Sequence, residues 1–111
     1  MLAQVRQASR PDDAIYVYYA AVPAFRYYQA AGLALQGEVY VESGWPQCEI
    51  SIQVAHAATA LAGHSRGWLI FVHIAGNEDR AILDGLTAPG SAWHMAECYR
   101  AENAAACLVV S

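Results

Sequence analysis

Ile15-Tyr16-Val17-Tyr18-Tyr19-Ala20-Ala21-Val22-Pro23-Ala24-Phe25-Arg26-Tyr27-Tyr28 decides the fold of this chain. Its first half, Ile15 to Ala21, is β-branched and aromatic without alternation, the pattern of a strand buried on both faces in a parallel sheet. Pro23 then suits the first turn of a helix, where its missing N–H costs nothing. The helix is expected to run to about Ala31 and to stop at Gly32, a residue that accepts a left-handed cap. Upstream, Leu2 to Ser9 can form one or two helical turns, and Arg10-Pro11-Asp12-Asp13 reads as a turn. Residues 1–14 are thus a short helical turn and a linker into the first strand.

Downstream of this unit the alternation continues. Val39-Tyr40-Val41 reads as a short strand, ended by Ser43-Gly44-Trp45-Pro46. The segment from Ile50 is ambiguous, because Ile50, Ile52 and Val54 alternate as in a strand while Val54, Ala58 and Leu61 recur as in a helix. The alanines decide for a helix over about 50–62, since they favour helix and fill little space in a sheet. Trp68 to Ile74 is the clearest strand. Asn77 can cap the next helix, whose start carries Glu78 and Asp79 and whose buried face is Ile82, Leu83 and Leu86. Pro89-Gly90 closes it. Trp93 to Arg100 and Ala104 to Val110 read as a hairpin turning at Glu102-Asn103. The order β-α-β-α-β-α-β-β implies one α/β domain over residues 1–111. Its expected form is a three-layer sandwich with a mostly parallel, Rossmann-like sheet of about five strands and a C-terminal antiparallel hairpin.

Composition narrows the function classes. The apolar content is 57%, but about a fifth of the chain is alanine and the apolar residues are dispersed. The longest uncharged apolar run, Ala14 to Phe25, falls short of the roughly 20 residues a bilayer span needs, and no transmembrane segment is expected. The N-terminus lacks the basic start and apolar core of a signal peptide. Net charge is −4 and the six basic residues are singly placed arginines, which argues against nucleic acid as a partner. The three cysteines, Cys48, Cys98 and Cys107, show no metal-binding spacing and are read as buried thiols, with a Cys98–Cys107 bridge across the hairpin as the alternative.

Three segments resemble a known family. Arg10 to Tyr28 is the first, Gly67-Trp68-Leu69-Ile70-Phe71-Val72-His73 followed by Glu78-Asp79 is the second, and Ala104-Ala105-Ala106-Cys107-Leu108-Val109-Val110 is the third. Together they are similar to the soluble C-terminal domain of bacterial GT-C class membrane glycosyltransferases, the family related to protein mannosyltransferases. The chain departs from it in the last strand, where Ala105-Ala106-Cys107 stands in place of an aromatic sequence. The resemblance implies an accessory α/β domain, or a stand-alone relative, following a membrane domain that uses a polyprenyl-phosphate sugar donor. That family's catalytic residues lie in the membrane domain, so the resemblance carries no catalytic residue, metal or cofactor to this chain. It implies a membrane glycosyltransferase domain or a lipid-linked sugar as partner. The location would be extracytoplasmic for a tethered domain and cytoplasmic otherwise.

The residues also suggest where a ligand would sit. Open parallel sheets bind at the carboxyl ends of their strands. His73 belongs at that edge, with Tyr19 and Glu42 from neighbouring strands and Asn77 and Glu78 at the start of the third helix. Arg26, beside the tyrosines, could meet an anionic group. The tyrosines at 27, 28 and 40 are expected to fill the gap between helix and sheet, the alternative being a stacking stripe. Gly63-His64-Ser65-Arg66-Gly67 matches the nucleophile elbow of hydrolases in letters only, because a helix precedes it and a strand follows. A hydrolase using Ser65 or Cys48 is therefore disfavoured. An independent small-ligand or oligomerisation module, with Trp45, Trp93 or Tyr28 in an exposed patch and a homo-oligomer left open, is the alternative to the accessory domain.

Overall fold

The computed structural model describes residues 2–18, 21–32, 35–42, 50–72 and 78–111, with the backbone alone at 2, 24, 28 and 78. Among the described residues four helices and five strands follow one another: α1 (Leu2–Ala8), β1 (Ala14–Val17), α2 (Val22–Ala30), β2 (Glu38–Val41), α3 (Ile50–Leu61), β3 (Arg66–Val72), α4 (Glu78–Leu86), β4 (His94–Ala101) and β5 (Ala104–Val110). The strands form one open, mixed sheet in the order β2-β1-β3-β5-β4. The three strands β2, β1 and β3 are parallel, while β5 runs antiparallel between β3 and β4. The hairpin is therefore part of the same sheet, with β4 at its edge.

Alternation along β1 divides the core, because successive side chains leave a strand on opposite faces. Ala14 and Tyr16 join one apolar cluster with Leu69, Phe71 and Cys107, against Ala57 and Leu61 of α3 and Ile82, Leu83 and Leu86 of α4. Ile15 and Val17 join the other with Trp68 and Ile70, against Val5 of α1 and Phe25 of α2. All four residues of β1 are buried, as a strand covered on both sides requires.

Local sequence explains most boundaries. In α2 the proline sits in the first turn, and Gly32 follows the helix at φ +81°. Strand β1 is shorter than the expected run to Ala21. The chain turns as the Ala21 N–H bonds the Tyr18 carbonyl at 2.8 Å, which feeds it into α2. The ambiguous segment is helical over Ile50–Leu61. Leu61 ends that helix directly above Gly67 of β3, where a Cβ would collide with the Leu61 side chain. The last turn has Asn103 at φ 55°, and counting outward from it brings Cys98 opposite Cys107.

That pair is a disulfide, which corrects the reading of all three cysteines as thiols. Cys107 is fully buried, and Cys98 packs against the same cluster. On the opposite face of the hairpin Tyr99 stacks on Trp68, ring centroids 6.0 Å apart. A bulge between Met95 and Glu97 and the charges of Glu97 and Arg100 interrupt the exposed edge of β4, features that discourage edge-to-edge pairing. No described helix is long and apolar enough to cross a membrane.

Candidate functional site

Two polar clusters are built into this frame, and they differ in what they can do. The first holds the amino ends of the parallel strands. Asp13, almost fully buried, accepts from Arg66 Nε at 2.9 Å and Nη2 at 3.0 Å, from Trp68 Nε1 at 3.1 Å and from the Arg10 backbone N–H at 2.9 Å. Burial opposes the charge on Asp13, but the hydrogen bonds from Arg66, Arg10 and Trp68 outweigh it and hold the carboxyl below the usual carboxylate range. Arg66 Nη2 also reaches the Ala8 carbonyl, tying α1 to the sheet. Both carboxylate oxygens of Asp13 are engaged inside the fold, so this cluster is structural.

Beside it, His64 joins the turn after α3 to the β1–β2 edge. Its Nδ1 meets the Asp12 carbonyl at 2.8 Å and its Nε2 meets Glu38 Oε2 at 3.2 Å. Two acceptors ask for two N–H donors, which is the imidazolium form. The backbone hydrogen bond to Asp12, helped by Glu38, raises the His64 pKa. A raised folded-state value contributes stability that is complete below the unfolded pKa of about 6.5 and lost as pH rises through the folded value. Denaturant midpoints of His64→Gln are therefore expected to match those of the parent above that window and to fall below them at lower pH. A constant difference across the range would remove the assignment.

The second cluster lies at the opposite, carboxyl ends of the strands. Glu42 follows β2, its N–H bonded to the Val17 carbonyl at 3.0 Å. Strand alternation puts its side chain on the α3 face, with Tyr40, where only 5% of the residue is exposed. Tyr16 donates its phenol to Glu42 Oε1 at 3.3 Å, and its ring stacks with Tyr40 at 5.9 Å. Burial, with the Glu42 charge beside it, pushes the Tyr16 pKa far above the ordinary phenol value, so this hydroxyl remains a donor. From α3, His56 directs Nδ1 at both carboxylate oxygens, 2.7 and 2.8 Å away. The His56 side chain is 41% exposed, and among the described residues its Nε2 has no hydrogen-bond partner. One helical turn earlier on α3, Gln53 is 2% exposed and its Oε1 is unpartnered among the described residues. An unsatisfied buried acceptor costs about 1–3 kcal/mol, a cost that a ligand donor can offset.

Of the residues expected at the ligand edge, Glu42 is in place. Tyr19, His73 and Asn77 lie outside the described residues, as does the Glu78 side chain. Arg26 is not brought to Glu42: it is exposed on α2, which packs on the opposite face of the sheet. The tyrosine gap-filling holds for Tyr40 but not for Tyr27, which is 74% exposed, and the Tyr28 side chain is not described. Ser65 is exposed in the turn between α3 and β3. Its hydroxyl makes no hydrogen bond to a histidine among the described residues, and Cys48 lies outside them. No group of three or more His, Cys, Asp or Glu side chains able to hold a metal occurs among the described residues.

The sequence reading missed His56, Tyr16 and Gln53. A signal for two of them was present, because Gln53 and His56 fall one turn apart in a helix otherwise rich in alanine and aliphatic residues, the spacing of neighbours on one face. Comparison with protein-family models, curated proteins and solved structures gives no match for this chain.

Proposed function

We propose that this chain is a non-catalytic α/β domain of an extracytoplasmic, polyprenyl-phosphate-sugar-dependent membrane glycosyltransferase, or a stand-alone relative of such a domain. In this reading it holds the acceptor or the lipid-linked donor at the strand-end edge marked by Glu42, or packs on the membrane domain. The observation that carries the compartment is the Cys98–Cys107 disulfide, since disulfides persist where the surroundings are oxidising. Within the Arg10–Tyr28 block, β1 buried on both faces and the helix α2 after it add support. Helices on both sides of the sheet fit a three-layer arrangement.

An independent ligand-binding module is the second reading, favoured by the Glu42–His56 pair, whose chemistry needs no membrane. The exposed aromatic patch that would mark such a module receives no support from Trp93, which packs against the core; Trp45 and the Tyr28 side chain are outside the described residues.

Thiol counting in the natural host tests the primary reading. The denatured, unreduced chain should carry one alkylatable cysteine, rising to three after reduction, and it should be recovered outside the cytoplasm. Three thiols before reduction, in a cytoplasmic fraction, would contradict it. The bridge closes a short loop, with a sequence separation of 9. Loop-closure entropy then gives a loss of about 2.5 kcal/mol of unfolding free energy on reduction, measurable by urea titration with and without reductant.

A further inference from the structure

The corner formed by β2, β1 and α3 contains more polar chemistry than holding the fold together requires. The Glu42 carboxylate is satisfied by Tyr16 and His56. A neutral imidazole that donates from Nδ1 presents Nε2 as a bare acceptor. His56 carries that acceptor on a side chain that solvent reaches, and the buried amide oxygen of Gln53 lies one turn away on the same helix. A structural hydrogen bond from Nδ1 would account for Glu42. Among the described residues it leaves both the open nitrogen and the orphaned amide oxygen without a partner.

Two acceptors backed by a carboxylate select a ligand that brings donors and no negative charge. Tyr40, partly buried and stacked on the buried Tyr16 ring, stands beside the carboxylate and provides a flat, apolar neighbour with a polar tip. Hydroxyl donors arrayed around a C–H face are the chemistry of a saccharide. We propose that Gln53, His56 and Glu42 form a recognition site for a neutral saccharide, whose hydroxyls donate to His56 Nε2 and Gln53 Oε1. Glu42 is a positioning residue here, fixing which His56 nitrogen faces the ligand. The inference rests on the functional reading for the location of the ligand edge and adds the ligand's chemical class.

The test is a titration of isotope-labelled protein with methyl hexosides and, separately, with inorganic phosphate, followed by NMR at the His56 ring and the Gln53 side-chain amide. Saturable shifts with the hexosides, and none with phosphate, are expected. His56→Phe and Gln53→Leu should each weaken that binding at least about tenfold while leaving the rest of the spectrum in place, and Gln53→Leu serves as the variant that keeps the His56–Glu42 hydrogen bond. No saturable hexoside response, or a response at His56 to phosphate alone, would overturn the proposal. The two readings fail separately. A chain with the disulfide formed and located outside the cytoplasm, yet silent to hexosides, loses the saccharide site alone. A reduced cytoplasmic chain that binds hexosides through His56 keeps the site and loses the glycosyltransferase reading.

Discussion

Asp13→Asn is expected to lower the unfolding free energy by about 3 kcal/mol, the scale for removing one partner of a buried charge pair. The side chain is nearly the same size, so packing is preserved while the chemistry changes. An amide cannot accept two guanidinium hydrogen bonds, the Trp68 indole and the Arg10 N–H together. Arg66, about one-fifth exposed, would keep its charge beside an uncharged partner. A depressed carboxylate pKa contributes stability that is present above the unfolded value of about 4 and lost as pH falls through the folded value. The variant should therefore be much weaker than the parent at neutral pH and should approach it in acid. Urea midpoints at a series of pH values, with the slope unchanged, check both parts. A loss under 1 kcal/mol at neutral pH would show that this cluster does not hold the sheet.

Gly37→Ala is expected to cost a similar amount, about 3 kcal/mol, for a different reason. Gly37 has φ +122°, a region that side chains rarely adopt, and an added Cβ would strike the backbone carbonyl of Asp13. That carbonyl accepts the Glu38 N–H at 2.9 Å, the bond that sets the β1–β2 register from Ala14↔Glu38 onward. Neither backbone can yield without breaking it. Gly90→Ala is the control: it has φ +89° but nothing within 4 Å of the new Cβ, and it should cost only about 1 kcal/mol. Equal losses for the two variants would mean that backbone conformation alone, and not the close approach to β1, fixes Gly37.

These two positions show where the sequence was readable and where it was not. The strand at Trp68 and the helix at Ile50 follow from side-chain type and period, properties carried by neighbouring residues. Asp13 reads locally as a turn former. Its partners, Arg66 and Trp68, are more than fifty positions away and reach it only because β3 lies beside β1. Glu42 could be placed because it directly follows a strand on a known edge. His56 could not, because the face that α3 turns toward β2 depends on how the crossover packs. The disulfide was within reach, since a two-residue turn at Glu102-Asn103 makes Cys98 and Cys107 opposite partners. Tyr27 was expected between helix and sheet, whereas α2 packs on the sheet through Phe25, and Tyr27 is left exposed.

The arrangement at Glu42 bears most directly on function, and the His56 ring reports on it without any ligand. A long-range proton–nitrogen spectrum of the neutral imidazole should show the proton on Nδ1 and a bare, pyridine-type Nε2, shifting toward the reverse in Glu42→Gln. A ring protonated at Nε2 in the parent protein would mean that the carboxylate does not hold it and that no open acceptor faces the strand ends.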